Sequence, residues 1–418
     1  MRILLTITDI SVVGGTERVV SNLANVFVQM GYEVEILSFF QRYEKIPYVL
    51  NERVSVSVFY KSLEEAAKPQ RGVAKIFYKH FYKFVLSWQI RARYKNVDCV
   101  IVSEHIYVPF FKTRHTRYIK VFHSRFMGYR KRYKHFGTLV LLSSAEIARY
   151  TPYHNRVRVI PNFLPQIPTQ TTDYAQRVVL SVGRLSEEKG FVRLIDIWEM
   201  VVKKLQTLSA RRLGECDESE NLHAKEMRAL ALSYCPPPLL ENTQDSKGRE
   251  STAAIGVENS SKSFDLSLRD GVFGWQLHIV GDGAMREEIQ ARIESKGLQD
   301  SILLKPFTTN IAQEYLGASV YAMASHSEGL PMVLIESASY GLPAIAFDIA
   351  TGPSDIILDS HTGYLVADEG LEAYAGKLVE LMSDKALREN LGRQAKERVV
   401  ECFSKQAIIP LWEEILKP

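Results

Sequence analysis

Short apolar runs alternate with helix-period segments in two successive series along this chain, a pattern that restricts it to parallel α/β sheets. In the first series Ile3–Thr6 reads as a buried strand. A Gly14-Gly15-Thr16 turn follows, and then Val19-Val20, Leu23-Ala24 and Phe27-Val28 recur at helical spacing. Gly31 closes that helix, and Val34–Phe39, Asp98–Ser103, Tyr118–Phe122 and Thr138–Leu142 read as further strands. The second series runs from a Val178–Val182 strand through a Gly190–Leu205 helix, a Leu277–Val280 strand and a helix from Met285 to about Lys296. Ile302–Leu304, Val320–Met323 and Ala344–Phe347 add strands, and Ala386–Leu416 reads as helix broken near Phe403.

Between the two series, Val157–Pro165 carries two prolines and an asparagine, and the polar run Gln166–Gln176 has the character of an inter-domain linker. A chain of 418 residues exceeds one ordinary core and suffices for two. The expected fold class is therefore α/β, with two Rossmann-like domains facing a cleft. The expected division is an N-terminal domain over 1–165, a linker over 166–177, a C-terminal domain over 178–395 and a terminal segment over 396–418. Residues 206–270 include Pro236-Pro237-Pro238, are rich in Ser, Asn, Glu and Lys, and hold no sustained period. They read as a polar surface insertion, a mobile loop in the bland reading and a partner-docking arm in the sharper one.

Composition excludes several classes. Apolar residues at 46% and charged residues at 24% are the balance of a globular protein, and no run approaches the ~18–20 apolar residues of a membrane span. The opening MRILLTITDI ends its apolar run at Asp9 without a small-residue cleavage site, which favours a buried strand over a signal peptide and a cytoplasmic location. Cys99, Cys216, Cys235 and Cys402 are scattered, with no CxxC pair, so neither a disulfide framework nor a thiolate metal site is expected. Charge is polarised: residues 1–170 hold 26 Lys and Arg against 11 Asp and Glu, and the remainder 26 against 37. Such a chain has one face suited to an anionic partner.

Four features carry candidate chemistry. In Glu328-Gly329-Leu330-Pro331-Met332-Val333-Leu334-Ile335-Glu336 a loop after a strand runs into a helix, whose first N–H groups and positive dipole end suit a diphosphate. Glu328 and Glu336 can then accept from sugar and ribose hydroxyls, although a capping acid and a surface acid would give the same spacing. In Ser181-Val182-Gly183-Arg184-Leu185-Ser186-Glu187-Glu188-Lys189-Gly190, Arg184 and Lys189 follow a strand end, where open α/β sheets bind ligands. They can hold a diphosphate and stabilise it as it leaves, or form a solvated surface loop. Gly14 and Gly15 make a tight turn after the first strand without a full GxGxxG. His123 follows the Tyr118–Phe122 strand at the same edge; standing alone, it reads more readily as structural. No Asp-x-Asp and no cluster with metal-ligand spacing appears, so no metal is expected.

A basic, aromatic stretch stands beside these four. Lys75, Lys79 and Lys83 lie one helical turn apart among Phe77, Tyr78, Phe81, Tyr82, Phe84 and Trp88, and Arg125, Arg130, Lys131, Arg132 and Lys134 follow. This suits a helix at an anionic membrane surface; a solvated helix with an apolar inner face and a nucleic-acid surface are the alternatives. The aromatic content favours membrane, and nucleic acid is not expected as a partner.

Together GGTERVVSNLA, VIPNF, SVGRLSEEKG, LHIVGDGAMREEI and SHSEGLPMVLIESASYGLPAIAFD resemble retaining glycosyltransferase family 4, of GT-B fold, which includes bacterial lipopolysaccharide, capsule and glycan-assembly enzymes. The resemblance implies a nucleotide-sugar donor, UDP-linked, and a glycan or lipid-linked acceptor at the cytoplasmic face of the membrane, with no metal. It implies that Arg184 and Lys189 neutralise the donor diphosphate and that Glu336 binds the ribose. Glu328 and the amides of Gly329, Leu330, Pro331 and Met332 (proline contributing no N–H) would hold the sugar. His123 would lie near the transferred sugar, Gly14 and Gly15 would face the phosphates, and the C-terminal helices would cross back onto the first domain. A nucleotide-sugar 2-epimerase and a non-catalytic membrane-associated scaffold remain the alternative readings.

Overall fold

β1 (Arg2–Asp9) is buried without interruption from Ile3 to Ile7, as a strand covered on both faces must be, and it pairs in parallel with β2 (Glu33–Phe40) on one side and β4 (Cys99–Val102) on the other. The structure is a computed structural model describing residues 1–60, 72–215 and 274–417; side chains are described except within 72–80 and 209–215. Helix α1 (Gly15–Gln29) crosses from β1 to β2 and buries Val19, Val20, Leu23, Ala24, Phe27 and Val28 against the sheet, the stripe that its 3.6-residue period dictates. β3 (Val54–Val58), β5 (Arg117–Phe122), β6 (Thr138–Leu141) and β7 (Val157–Val159) complete a seven-stranded sheet in the order β3-β2-β1-β4-β5-β6-β7, parallel throughout.

The second sheet repeats the design. β8 (Val178–Val182), β9 (Gln276–Val280), β10 (Ile302–Lys305), β11 (Val320–Met323), β12 (Ala344–Asp348) and β13 (Gly363–Ala367) form six parallel strands in the order β10-β9-β8-β11-β12-β13. Counted from its own first strand this is the 3-2-1-4-5-6 order of a dinucleotide-binding sheet. The order reverses between β1 and β4 in the first sheet and between β8 and β11 in the second. At such a switch point adjacent loops diverge to opposite faces and leave a crevice.

Two departures from the sequence reading have simple causes. The helix that starts at Phe191 runs to Glu215, ten residues beyond Leu205. Its last turns lack an apolar stripe, since Leu208 is already 39% exposed, so periodicity alone could not carry the helix that far. The rest of the 206–270 stretch, from 216 onward, lies outside the described residues, as do Cys216 and Cys235. β3 (VSVSV) and β13 (GYLVA) went unread because each is an edge strand, half polar or led by glycine.

After the second sheet, the helix Lys385–Phe403 stops at Ser404, whose hydroxyl accepts from Ala407 N at 3.2 Å and so caps the next helix, Lys405–Leu416. This last helix lies against α1. Trp412, 2% exposed, meets Phe27 edge-on with ring centroids 5.7 Å apart, and Ile408 and Leu416 are buried beside it. Where the chain turns, Leu164 N donates to Phe403 O at 2.9 Å, so the two segments that pass between the sheets are hydrogen-bonded to each other. Trp412→Ala is expected to destabilise the protein by about 3 kcal/mol or more, read as a lowered denaturant midpoint in chemical unfolding; a loss below about 1 kcal/mol would contradict this packing role.

Candidate functional site

The loops that leave β8 and β11 flank the switch point of the second sheet, and they are the two loops whose motifs stood out in the sequence. The β8 loop turns at Gly183 and returns through a short 3-10 turn at Glu187–Lys189 to Gly190, which adopts a left-handed φ of +65°. A Cβ at Gly190 would overlap the Ala324 carbonyl oxygen, so only glycine lets this loop press against the end of β11. His326 N donates to Glu188 O at 2.8 Å and ties the two loops together. Arg193, in the first turn of the helix that begins at Phe191 and 7% exposed, donates to the carbonyls of Ala324 and Ser325 at 2.5 Å each and to Asp368 at 2.9 Å. Its guanidinium also lies 4.1 Å from the centroid of the Phe347 ring.

This bracing sets the β11 loop in one conformation. Lys189 Nζ meets Glu328 Oε1 at 2.7 Å, with the glutamate side chain 9% exposed and the lysine 25%. The Glu328 carbonyl accepts from Thr351 Oγ1 at 2.6 Å. Leu330 and Pro331 are buried and Met332 half-buried. Pro331 stands at the N-cap and the helix Met332–Ser339 begins one residue later, so its first N–H groups have no helical partner and open at the loop. Arg184, exposed on the β8 loop, forms no ion pair among the described residues. One cation is thus committed to a carboxylate and the other is free to meet an anion.

Glu336, 7% exposed, sits one turn into that helix. Burial pushes its carboxyl up, and two partners oppose that: Arg18, which ion-pairs with it from α1, and Tyr315, whose hydroxyl donates to it at 3.0 Å. Arg18 belongs to the first domain, 318 positions away in the chain. The turn that presents it is held by Tyr48, whose hydroxyl accepts from Gly14 N at 2.9 Å and donates to Gly14 O at 2.7 Å. Gly15 faces open space. Glu17 of the same turn lies within electrostatic reach of Arg184. The two elements that the motifs left apart, the GGTER turn and the Glu328-to-Glu336 string, therefore meet across the cleft with complementary charges.

His123 leaves the end of β5 on the opposite wall. A Cβ at Gly329 would overlap its carbonyl oxygen, so only glycine lets the β11 loop come this close to the backbone at the end of β5. The ring is half-buried as a whole, yet Nε2 is sealed from solvent and has no hydrogen-bond partner among the described residues. Burial, aided by the charges on Lys120 and His105, lowers its pKa to about 3. Sequence reasoning missed Arg18, Arg193, Tyr48, Tyr315 and Thr351. The Arg18 signal was present, since it follows Gly14-Gly15 by a few residues, but nothing local indicates what it reaches. The helix α2 (Gly72–Arg93) flanks the same wall with Phe81, Phe84, Val85 and Trp88 exposed along one stripe. The side chains of Lys75, Lys79, Phe77 and Tyr78 lie outside the described ones. Lys83 Nζ donates to His105 O at 3.1 Å.

Two parallel Rossmann-like sheets, with their loops meeting across a cleft, define the GT-B class. Residues 253–398 match the family model described as Glycosyl transferases group 1, and the fold is that of GT-B structures. Among known proteins, the chain is 38% identical over 143 residues to the amylovoran biosynthesis glycosyltransferase AmsD of Erwinia amylovora, covering 34% of this chain and 40% of that one. It is 22% identical over 396 residues to the Campylobacter jejuni GalNAc-alpha-(1->4)-GalNAc-alpha-(1->3)-diNAcBac-PP-undecaprenol alpha-1,4-N-acetyl-D-galactosaminyltransferase, covering 92% and 90%. The fold is shared with Staphylococcus aureus TarM, a variant of which was crystallised with Fondaparinux, alpha-GlcNAc-glycerol and UDP. The TM-score is 0.69 at 15% identity, and both chains are covered in full. The chain thus spans less than half the length of the curated relative to which it has the higher identity.

Because the folded His123 ring binds its proton only near pH 3 while an unfolded histidine titrates near 6.5, protonation at intermediate pH favours the unfolded chain. Stability should therefore fall as pH drops from about 6.5 toward 3, with His105 and His278, both lowered to about 4, acting in the same direction. Side-chain NMR should find the His123 ring neutral at pH 5, and His123→Asn should flatten the acid limb of the thermal-midpoint profile. A His123 resonance titrating near pH 6.5 would contradict the sealed environment.

Proposed function

We propose that this chain is a retaining glycosyltransferase that moves a sugar from a nucleotide-sugar donor, UDP-linked, to a glycan or lipid-linked acceptor in cell-envelope polysaccharide assembly. The observation that carries the reading is the pairing of Lys189 with Glu328 beside the open amino end of the Met332–Ser339 helix, with Arg184 free at its side. A diphosphate entering there meets two cations and a helix dipole, and a leaving group that gains charge at departure is stabilised by all three.

In this reading the C-terminal domain holds the donor. The ribose hydroxyls donate to Glu336, which requires Arg18 to withdraw. Gly14 and Gly15 leave room for the phosphates, and Glu328 with the Gly329, Leu330 and Met332 amides aligns the sugar. Once the loops around it part and uncover Nε2, His123, neutral at physiological pH, offers that nitrogen to a sugar hydroxyl as a hydrogen-bonding group and not as a cation. The acceptor hydroxyl oxygen attacks the anomeric carbon on the face from which the diphosphate departs. The bond from that carbon to the phosphate oxygen breaks, and the hydroxyl proton passes to the departing phosphate. The amylovoran-biosynthesis and undecaprenol-linked glycan relatives support the acceptor class, and the UDP crystallised with TarM supports the nucleotide.

The test is calorimetry with a panel of nucleotide sugars, followed by turnover with the donor that binds. Glu336→Ala should lose at least tenfold in donor affinity, since a buried acceptor for two hydroxyls is removed. Lys189→Ala should lose mainly turnover, about a hundredfold, because its charge matters most as the diphosphate leaves. Binding of no panel member by the folded wild type, or unchanged turnover in Lys189→Ala, would sink the assignment.

The exposed stripe on α2 supports a peripheral position at the cytoplasmic face of the membrane. Phe81 at 54% and Trp88 at 60% exposure are large apolar groups in water, next to a strongly basic stretch. Phe81→Ser with Trp88→Ser should reduce co-sedimentation with anionic phosphatidylglycerol vesicles several-fold and leave donor binding unchanged. Equal sedimentation of variant and wild type would remove the membrane role from this helix.

A further inference from the structure

Beside His123 the first domain holds a cavity of about 170 Å³ that the donor reading does not use. Phe122 and Ser124, the chain neighbours of His123, form one wall. Arg125, Arg130 and Arg132 line it together with the aromatic rings of Tyr133 and Tyr150. Three guanidinium groups around one concavity should repel each other unless carboxylates intervene. Among the described residues none of the three has an ion-pair partner. The nearby carboxylates are committed elsewhere. Glu146 accepts from Phe126 N, and Glu104 accepts from Thr6 Oγ1 and from the amides of Ile106 and Tyr107.

The cavity is held in shape. Besides the Glu146 bond to its backbone, the loop is pinned by Phe126 edge-on to Tyr150, with centroids 4.8 Å apart. Tyr129 stacks on Tyr153 at 4.8 Å. Lys120, buried beneath, gives its ammonium to the carbonyls of Glu104 at 2.6 Å and Val102 at 3.3 Å. The positive field is strong enough to act on the lining itself: burial, then Lys120, Arg132, Arg130 and Lys83, together hold the His105 ring at a pKa of about 4. Such a braced, unneutralised arginine cluster matches the fork geometry by which guanidinium groups take phosphate oxygens.

We infer that this cavity is an anion subsite for the acceptor, and that Arg125, Arg130 and Arg132 hold a phosphoryl or diphosphoryl group that the acceptor carries. The inference rests on the glycosyltransferase reading and narrows it to phosphate-bearing acceptors. Its aromatic rings give an apolar or ring-bearing portion beside the phosphate a surface to lie on, and its Phe122–Ser124 wall sets the neighbouring part of the acceptor next to His123 and the cleft.

The experiment is a titration of inorganic pyrophosphate, and then of farnesyl diphosphate, into the full chain by calorimetry. It compares wild type with two double variants, Arg130→Gln with Arg132→Gln and Arg184→Ala with Lys189→Ala. Arg130 is exposed and Arg132 half-buried, and neither is ion-paired, so the first pair should keep the wild-type melting profile. Binding of both probes should weaken at least tenfold in the Arg130/Arg132 variant and persist in the Arg184/Lys189 variant. Binding that disappears only with Arg184 and Lys189 would overturn the inference, because the donor site alone would then account for it. So would a loss of phosphatidylglycerol-vesicle binding in the Arg130/Arg132 variant with both soluble probes unaffected, since the cluster would then serve membrane headgroups. A nucleotide-sugar panel run alongside separates the two readings. No donor binding together with Arg130/Arg132-dependent pyrophosphate binding would sink the transferase reading and leave the anion site standing.

Discussion

A carboxylate removed from water has to have its charge met, and Glu336 has it met from the other domain. Desolvation of an unpaired carboxylate costs several kcal/mol, so the Arg18 guanidinium and the Tyr315 hydroxyl are conditions for Glu336 being ionised where it stands. Arg18 can reach it only because α1 begins directly after the Gly14-Gly15 turn, and because Tyr48 clamps that turn through both polar groups of Gly14. Glu17 approaches Arg184 from the same turn, so the cleft is lined by opposite charges drawn from the two domains. In the proposed function a donor replaces both members of this arrangement: its ribose competes with Arg18 and its diphosphate with Glu17. Donor entry and the separation of the two walls then share one set of contacts.

The bracing of the second sheet serves the same place. Arg193 spends its guanidinium on two carbonyls and a carboxylate, none of them in the cleft, and so fixes where the β11 loop leaves the sheet. Gly190 and Gly329 do the complementary work by omission, each removing a Cβ at a contact between backbones. A site assembled this way has its precision in backbone positions, and its functional side chains, Lys189 and Glu328 above all, are carried on loops with little freedom to relax.

The alternation of apolar runs with helical periods exposed most of the strands, because a parallel strand buried on both faces has no polar interruptions to disguise it; β4, CVIV, is the plainest case. Edge strands such as VSVSV lose that signal, since one face meets water. In the candidate site, the loops bearing Arg184, Lys189 and Glu328 were legible as strand ends with glycines and charges. Their mutual geometry was not. That Lys189 pairs with Glu328 depends on Gly190 resting against Ala324, and that Arg18 pairs with Glu336 depends on the relation of two domains, which no local pattern encodes. The 125–132 arginines read in sequence as part of a general basic surface. Only the aromatic packing of Phe126 and Tyr129 reveals that they surround a concavity.

The adjoining passage of the chain at Leu164 and Phe403 has a mechanical meaning. Among the described residues the polypeptide goes from the first sheet to the second once and returns once, and the two segments of that traffic are fastened together by the Leu164 N to Phe403 O bond. A single tether would let one half swivel about any direction. Two tethers bound side by side behave as the pin of a door hinge, leaving one axis of opening and suppressing twist. A jaw so mounted returns its two edges to the same register at every closure.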